Sequence, residues 1–308
     1  MAALTPTKYI WMNGEFVKWD EAKIHVLTHG LHYGTGVFEG MRCYKTADGP
    51  AIFRNKEHCD RLLASAKAYM MKSPYTSEQI QKAIRDLIKK NDIEACYIRP
   101  ILYNGYGEMG LNPTNCKVDL TIALWPWGTY LGEEGLKKGI RVNVSSWARL
   151  DQRTVPTSAK ACGNYINSVL AKLEAVHEGV DECVLLNTSG SVAEGPGENI
   201  FAVINGELFT PHGSSGILYG ITRDSILTIA KDMGMRVEEW ELNRNDLYLA
   251  DELFFTGSAA EVTPIREVDG RVVGNGSRGP MTEKLQKKFF DVVAGKDPKY
   301  KKWLDIVK

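Results

Sequence analysis

The sequence predicts an α+β protein of two domains, with mixed sheets flanked by helices, and three observations carry that expectation. Apolar runs are joined by Asn13-Gly14, Asp48-Gly49, Asn205-Gly206 and Asp269-Gly270, dipeptides suited to tight hairpin turns. Two adjacent helical patterns interrupt the strands of the first half, the arrangement expected of an α+β layer. A length of 308 residues favours about two hydrophobic cores.

In chain order, Tyr9–Met12 and Glu15–Trp19 flank the first Asn-Gly pair and read as a hairpin. One strand is expected through Val37–Tyr44, turning at Asp48-Gly49 into Ala51–Phe53. Helices follow over 56–70 and 77–90, the second with Ser77 as N-cap before apolar positions at 80, 84, 87 and 88. Strands return at 96–103 and 118–125. Pro126-Trp-Gly-Thr-Tyr130-Leu-Gly132 then breaks the pattern and reads as a connector whose aromatics line something. Beyond it, strands are expected near 140–146, 182–187, 199–204, 235–240, 252–256 and 262–267. Helices are expected near 165–178, 223–234 and 280–293. No repeat of solenoid period and no low-complexity tail is present.

Composition excludes several classes. Lys+Arg and Asp+Glu both number 38, so no global field attracts nucleic acid or an anionic membrane. No apolar run is long enough to span a bilayer and Met-Ala-Ala-Leu-Thr lacks the layout of a secretory signal, so a soluble protein is expected, and cysteines read as reduced thiols suggest the cytoplasm. Six cysteines are scattered without a Cys-x-x-Cys pair, which argues against both zinc and a disulfide framework. His25, His29 and His32 cluster without accompanying carboxylates, so no metal is expected.

One stretch suggests chemistry. Thr157-Ser-Ala-Lys160-Ala-Cys-Gly-Asn-Tyr165 sets a lysine among small residues, ahead of a helical pattern through Ile166, Val169, Leu170 and Leu173. A partly desolvated ammonium loses proton affinity and can act as a Schiff-base nucleophile or proton shuttle, although a lone lysine is more often a surface residue.

Further motifs decide between those readings. Lys160–Tyr165, Glu194-Gly-Pro-Gly-Glu198-Asn199 and Gly220-Ile-Thr-Arg-Asp224 together resemble the class IV aminotransferases, which use pyridoxal 5'-phosphate (PLP). Adding Tyr33-Gly-Thr-Gly-Val-Phe-Glu-Gly40 and Tyr97-Ile-Arg-Pro100, the chain is similar to the branched-chain amino acid aminotransferases, colinearly from about Tyr9 to Trp303. The resemblance implies a two-domain fold type IV PLP enzyme, D-amino acid aminotransferase-like. It would have a small α+β domain over 1–125, an interdomain loop over 126–134 and a large PLP-binding domain over 135–308. It further implies transamination of leucine, isoleucine and valine with 2-oxoglutarate, giving branched 2-oxo acids and L-glutamate by a ping-pong route through a Lys160 aldimine.

Each residue role follows from matching that pattern. Lys160 is the catalytic lysine, and Tyr165 the phenol facing the cofactor's O3′. Glu194 is favoured as partner of the pyridine nitrogen, with Glu198 the competing candidate; a protonated ring is an electron sink. Arg61, Leu218, Gly220, Ile221, Thr222 and Ser258 would hold the rest of the cofactor, the phosphate at a helix N-terminus. Thr222 would equally serve as a plain N-cap, and periodicity alone leaves Arg61 on an exposed face.

Phe38, Gly40, Tyr97, Trp127, Tyr130, Ser258 and Ala259 match the substrate pocket. Arg99 there would accept glutamate's second carboxylate. Tyr33 and the loop Gly105–Leu111 resemble elements supplied by a neighbouring subunit, which implies at least a homodimer and leaves a hexamer open. The chain departs from the family pattern at Cys162, Tyr219, Ser258 and Leu111; none removes a catalytic group. Rival readings are a D-amino acid aminotransferase, an R-selective amine transaminase, aminodeoxychorismate lyase, a cofactor-free lyase, or a silent PLP-free relative.

Overall fold

The computed structural model describes residues 4–128 and 131–308. The chain divides into two compact units. One runs up to Gly128 and adds Ala159–Gly163 and Val292–Lys308; the other comprises the segment ending at Ser158 and Asn164–Asp291.

The first unit begins with the hairpin β1 (Tyr9–Met12) and β2 (Glu15–Lys18), turned by Asn13 and Gly14, both at positive φ. After the short helix α1 (His29–Tyr33) come β3 (Gly36–Phe38), β4 (Met41–Thr46) and β5 (Gly49–Phe53). Helices α2 (Asn55–Ala68) and α3 (Ser77–Asn91) lead to β6 (Cys96–Asn104) and β7 (Val118–Trp125). The antiparallel strands lie in the order β17-β5-β4-β6-β7-β1-β2, with β3 also on β6; β17 (Leu304–Ile306) returns from far along the chain. Ile80, Ile84, Leu87 and Ile88 line one face of α3 and pack with Leu62 of α2 against Ile98, Leu102, Leu120 and Ile122. That is the helical apolar stripe expected from sequence.

Two local expectations differ. The α3 N-cap is Thr76, not Ser77: Thr76 Oγ1 accepts from Gln79 N at 3.3 Å while Gln79 Oε1 accepts from Thr76 N at 2.8 Å. This reciprocal capping box satisfies two backbone donors where Ser77 could satisfy one. The strand expected through Val37–Tyr44 breaks at Glu39-Gly40, where a Cβ on Gly40 would sit 2.0 Å from the Tyr97 hydroxyl. The break lets the Glu39 side chain turn into the interior.

The second unit contains α4 (Gly132–Lys138), β8 (Ile140–Val144), α5 (Tyr165–His177), β9 (Glu182–Leu186), β10 (Val192–Glu194), β11 (Asn199–Ile204) and β12 (Glu207–Thr210). It continues with α6 (Ile221–Asp232), β13 (Val237–Glu239), α7 (Arg244–Leu249), β14 (Glu252–Gly257), β15 (Glu261–Val268), β16 (Arg271–Val272) and α8 (Pro280–Val293), whose last two residues count with the first unit. The sheet order is β10-β9-β8-β15-β14-β11-β12-β13, with β16 on β15. Parallel pairs (β8 with β9, β8 with β15, β12 with β13) make it a mixed sheet.

Helix α5 reverses its expected face. The helical period holds, but Ser168, Ala171 and Ala175 are buried while Ile166, Val169, Leu173 and Val176 are half or more exposed. Small residues let the helix approach β9 closely, leaving the larger apolar chains outside.

Candidate active site

Lys160 belongs to the short segment that joins the first unit. Its backbone N–H donates to Ser65 Oγ on α2 at 3.0 Å, and its carbonyl accepts from Phe38 N at 2.9 Å. An antiparallel bridge between Val37 and Ala161 completes the attachment. The half-buried lysine is thus fixed at its backbone, with Nζ 5.1 Å from the centroid of the Phe38 ring.

The same ring carries a second cation. The Arg99 guanidinium lies 4.7 Å from the Phe38 centroid and 5.3 Å from that of Tyr97. Arg99 Nη2 donates to the Tyr97 hydroxyl, whereas its buried Nε has no hydrogen-bond partner. Trp127 meets Tyr97 edge-on at 4.3 Å, and Arg42 holds that segment through the Gly128 carbonyl at 3.0 Å. Gly40 is required here, since any side chain would displace Tyr97. Tyr130 lies outside the described residues. Cys162 sets its sulfur beside Gly36, with burial pushing the thiol above its ordinary value despite the nearby Arg99.

Arg61 is not on an exposed face; its side chain is only 16% exposed. Glu39 Oε1 accepts from Arg61 Nε at 2.7 Å and Glu39 Oε2 from Arg61 Nη2 at 2.9 Å. His58 Nδ1 lies 2.7 Å from Glu39 Oε2. Burial opposes ionisation of Glu39, but Arg61 and His58 outweigh it and hold the carboxyl far below its usual range. Burial pushes His58 below its ordinary value, so a neutral imidazole donates Nδ1–H. Neither Glu39 nor His58 was singled out from sequence. The available signal is His58, Arg61 and Ser65 at i, i+3 and i+7, a polar stripe on the face that the helix buries.

Tyr33 is 42% and Leu111 89% exposed. Buried His29 ties this region together, with Nδ1 2.7 Å from Thr35 Oγ1 and Nε2 2.7 Å from the Gly110 carbonyl. A carbonyl only accepts, so Nε2 carries the proton. Tyr106, packed 4.5 Å from His25, is exposed in the same loop.

In the second unit, Glu194 ends β10. Its Oε2 accepts from Asn199 Nδ2 at 3.0 Å and from Leu218 N at 3.1 Å, and Asn199 Nδ2 also donates to the Leu218 carbonyl. Arg149 Nε lies 2.8 Å from Glu194 Oε1, a charge contact without an aligned N–H. Arg149, buried and distant in sequence, was missed by sequence reasoning; no local pattern marks it. Glu198 lies next along the same turn. Burial and the Glu182 carboxylate push it up to about 8, leaving it protonated at neutral pH, with Oε2 accepting from Gly197 N at 3.0 Å.

Gly220, rather than Thr222, is the N-cap of α6, and Ile221 and Thr222 lie buried in the first turn. A Cβ on Gly220 would lie 2.0 Å from Asn199 Oδ1, so the helix N-terminus is held close to the Glu194 cluster. Gly257 lies close to the Gly197 carbonyl, which a Cβ there would meet at 3.3 Å, and the half-buried Ser258 and Ala259 follow it. Thr256 Oγ1 is buried there without a hydrogen-bond partner. Tyr165 opens α5 and is half-buried.

Among the described residues no group of three or more His, Cys, Asp or Glu is gathered for a metal, and no helix is long and apolar enough to cross a membrane. The six cysteines are free thiols.

The amino-transferase class IV profile matches residues 36–268. The chain belongs to the class IV aminotransferases. It is 50% identical over 299 residues to the branched-chain-amino-acid aminotransferase of Pseudomonas aeruginosa, covering 97% of each. Among solved structures it is similar to the Escherichia coli branched-chain amino acid aminotransferase, with a TM-score of 0.96 and 48% identity over 98% of this chain and 100% of the other. The Thermobaculum terrenum branched-chain enzyme, solved in its PLP form, gives a TM-score of 0.93 at 36% identity, covering 98% and 99%. The class IV assignment accounts for the lysine, glutamate and helix-terminus motifs occurring in one chain.

Proposed function

We propose that this aminotransferase moves the amino group between branched-chain L-amino acids (leucine, isoleucine, valine) and 2-oxoglutarate, with PLP as cofactor. One observation carries the reading: a single ring, Phe38, is flanked by the Lys160 amine and the Arg99 guanidinium. An aliphatic side chain is stabilised against Phe38, Tyr97 and Trp127 by leaving water, by about 1.5–3 kcal/mol. A dicarboxylate can instead place its second carboxylate on Arg99, whose buried Nε lacks an acceptor.

The residues fit PLP. Glu194 offers a carboxylate braced by Arg149, Asn199 and Leu218, and Gly220 leaves the α6 N-terminus without a side chain. The positive end of a helix dipole suits a phosphate, and Thr222, Ser258 and Arg61 are the side chains that would contact it. Glu198, protonated at neutral pH, is the poorer partner for a ring cation. Bound PLP supplies an electron sink for the charge released at the substrate Cα. With PLP bound, Lys160 would be the amine that holds it, and the Lys160 Nζ would take up and return the proton at the substrate Cα. Phe38, Tyr97 and Trp127 exclude water while it does so. Tyr165 would hold the cofactor's O3′.

The reading extends to a homodimer, in which a second copy covers Tyr33, Tyr106 and Leu111, and to a cytoplasmic location, supported by the free thiols. The test is the absorption spectrum of the protein with PLP. The cofactor band should bleach with L-leucine, return with 2-oxoglutarate, and be absent in Lys160→Ala. A band that ignores L-leucine but responds to D-alanine or an R-amine refutes the substrate assignment.

A further inference from the structure

Glu39 is a fully buried carboxylate with no role assigned above, and Arg61 is the one assigned side chain that it pairs with. It occupies the interruption between β3 and β4, where its own N–H is fixed by the Pro100 carbonyl at 2.9 Å. Four donors converge on its two oxygens: Arg61 Nε and Nη2, His58 Nδ1, and Gly40 N at 3.3 Å. The pairing with Arg61 is side-on, through Nε and one Nη. It therefore fixes the plane of the guanidinium and the direction of its remaining edge. An unpaired arginine on α2 would sample many rotamers and lose that freedom on meeting an anion; one already clamped has lost it beforehand.

We propose that Glu39, seconded by His58, is the positioning residue that presents Arg61 to the cofactor phosphate. The proposal rests on the PLP reading above. Glu39 adjoins Phe38, so one break in a strand sets both the ring beside Lys160 and the clamp on Arg61. A merely structural ion pair would stabilise the unit without caring whether a ligand carries a phosphate. A positioning residue should care, and that separates the two.

The experiment uses apoprotein titrated with PLP and, separately, with pyridoxal, which lacks the phosphate; both are followed by absorbance and by quenching of tryptophan fluorescence. In Glu39→Gln the amide has one acceptor oxygen for three side-chain donors, so the two-point clamp on Arg61 is lost. We expect PLP affinity to fall at least tenfold and pyridoxal affinity to change less than twofold. Adding Glu39→Gln to Arg61→Met should cause no further loss, because the clamp then has nothing to hold. His58→Asn, whose amide nitrogen can stand in for Nδ1–H, should lose less than His58→Leu.

An unchanged PLP-to-pyridoxal ratio in Glu39→Gln, or equal weakening of both ligands, overturns the proposal, as does full additivity with Arg61→Met. Glu39→Asp keeps the charge and withdraws the oxygens; if Glu39→Gln does not fold, the same selective loss of PLP in Glu39→Asp supports the proposal and its absence refutes it. Wild-type protein that binds neither PLP nor pyridoxal removes the cofactor reading itself, a result distinct from any of these.

Discussion

Glu198→Gln offers a sharp test of the electrostatics around β10 and β11. Glu198 is fully buried and faces the Glu182 carboxylate, the Lys172 ammonium and Glu194. Lys172 Nζ is already committed to Glu182 Oε2 at 2.9 Å. Burial and Glu182 therefore prevail, raising Glu198 from an ordinary 4.5 to about 8. The folded protein then holds a proton between these values that the unfolded chain has released. Its contribution to stability is complete below pH 4.5 and is lost as pH rises towards 8. Burial raises Glu182 as well, so the loss belongs to the pair of carboxyls and is on the order of a few kcal/mol across the window. Glutamine resembles the protonated acid and can accept the Gly197 N–H in its place, without titrating. The assay is denaturant unfolding of both proteins at unit steps from pH 5 to 9. The wild-type free energy minus that of Glu198→Gln should fall steadily to about pH 8 and then level. A difference independent of pH would mean that Glu198 is ionised in the folded state throughout, refuting the account of this cluster.

Two further outcomes follow from the first unit. Arg99→Met should leave single-turnover reaction with L-leucine within about threefold but reduce kcat/KM for glutamate and 2-oxoglutarate about a hundredfold, the scale of a lost charge-assisted contact; equal loss for both substrates would remove Arg99 from carboxylate recognition. His29→Leu deletes the contacts to Thr35 and Gly110, costing about 1–3 kcal/mol. It should accelerate amide hydrogen exchange over residues 105–111, and His29→Gln, whose amide nitrogen replaces Nε2, should recover part of the protection; unchanged exchange in His29→Leu would mean that the loop is held elsewhere.

Much of the fold was legible because it is local. Asn-Gly and Asp-Gly turns, the apolar stripe of α3 and the strand over Val118–Trp125 each depend on a few neighbouring residues. What failed to be legible depends on distant partners. Glu39 looked like one more strand residue, and its meaning comes from α2, reached only after the chain turns back. Arg149 acquires a role only when a later strand delivers Glu194. The periodicity of α5 was visible but not which side faces inward, because small residues pack closely where large ones cannot. Lys160 and Gly220 were recognisable because their motifs are contiguous, and each is set in place by short backbone contacts.

The return of β17 to β5 bears on how the chain folds as it leaves the ribosome. Asn55 and Asp305 bond to each other across a separation of 250 residues, and Leu304–Ile306 pairs with Ala51–Phe53. The first unit to be synthesised must wait for one of the last segments, with the edge of β5 unpaired meanwhile. The second unit, built mostly from one run ending at Asp291, has its whole sequence exposed first. Vectorial synthesis therefore puts the order of completion opposite to the order of translation, and leaves β5 as the edge through which nascent chains would entangle.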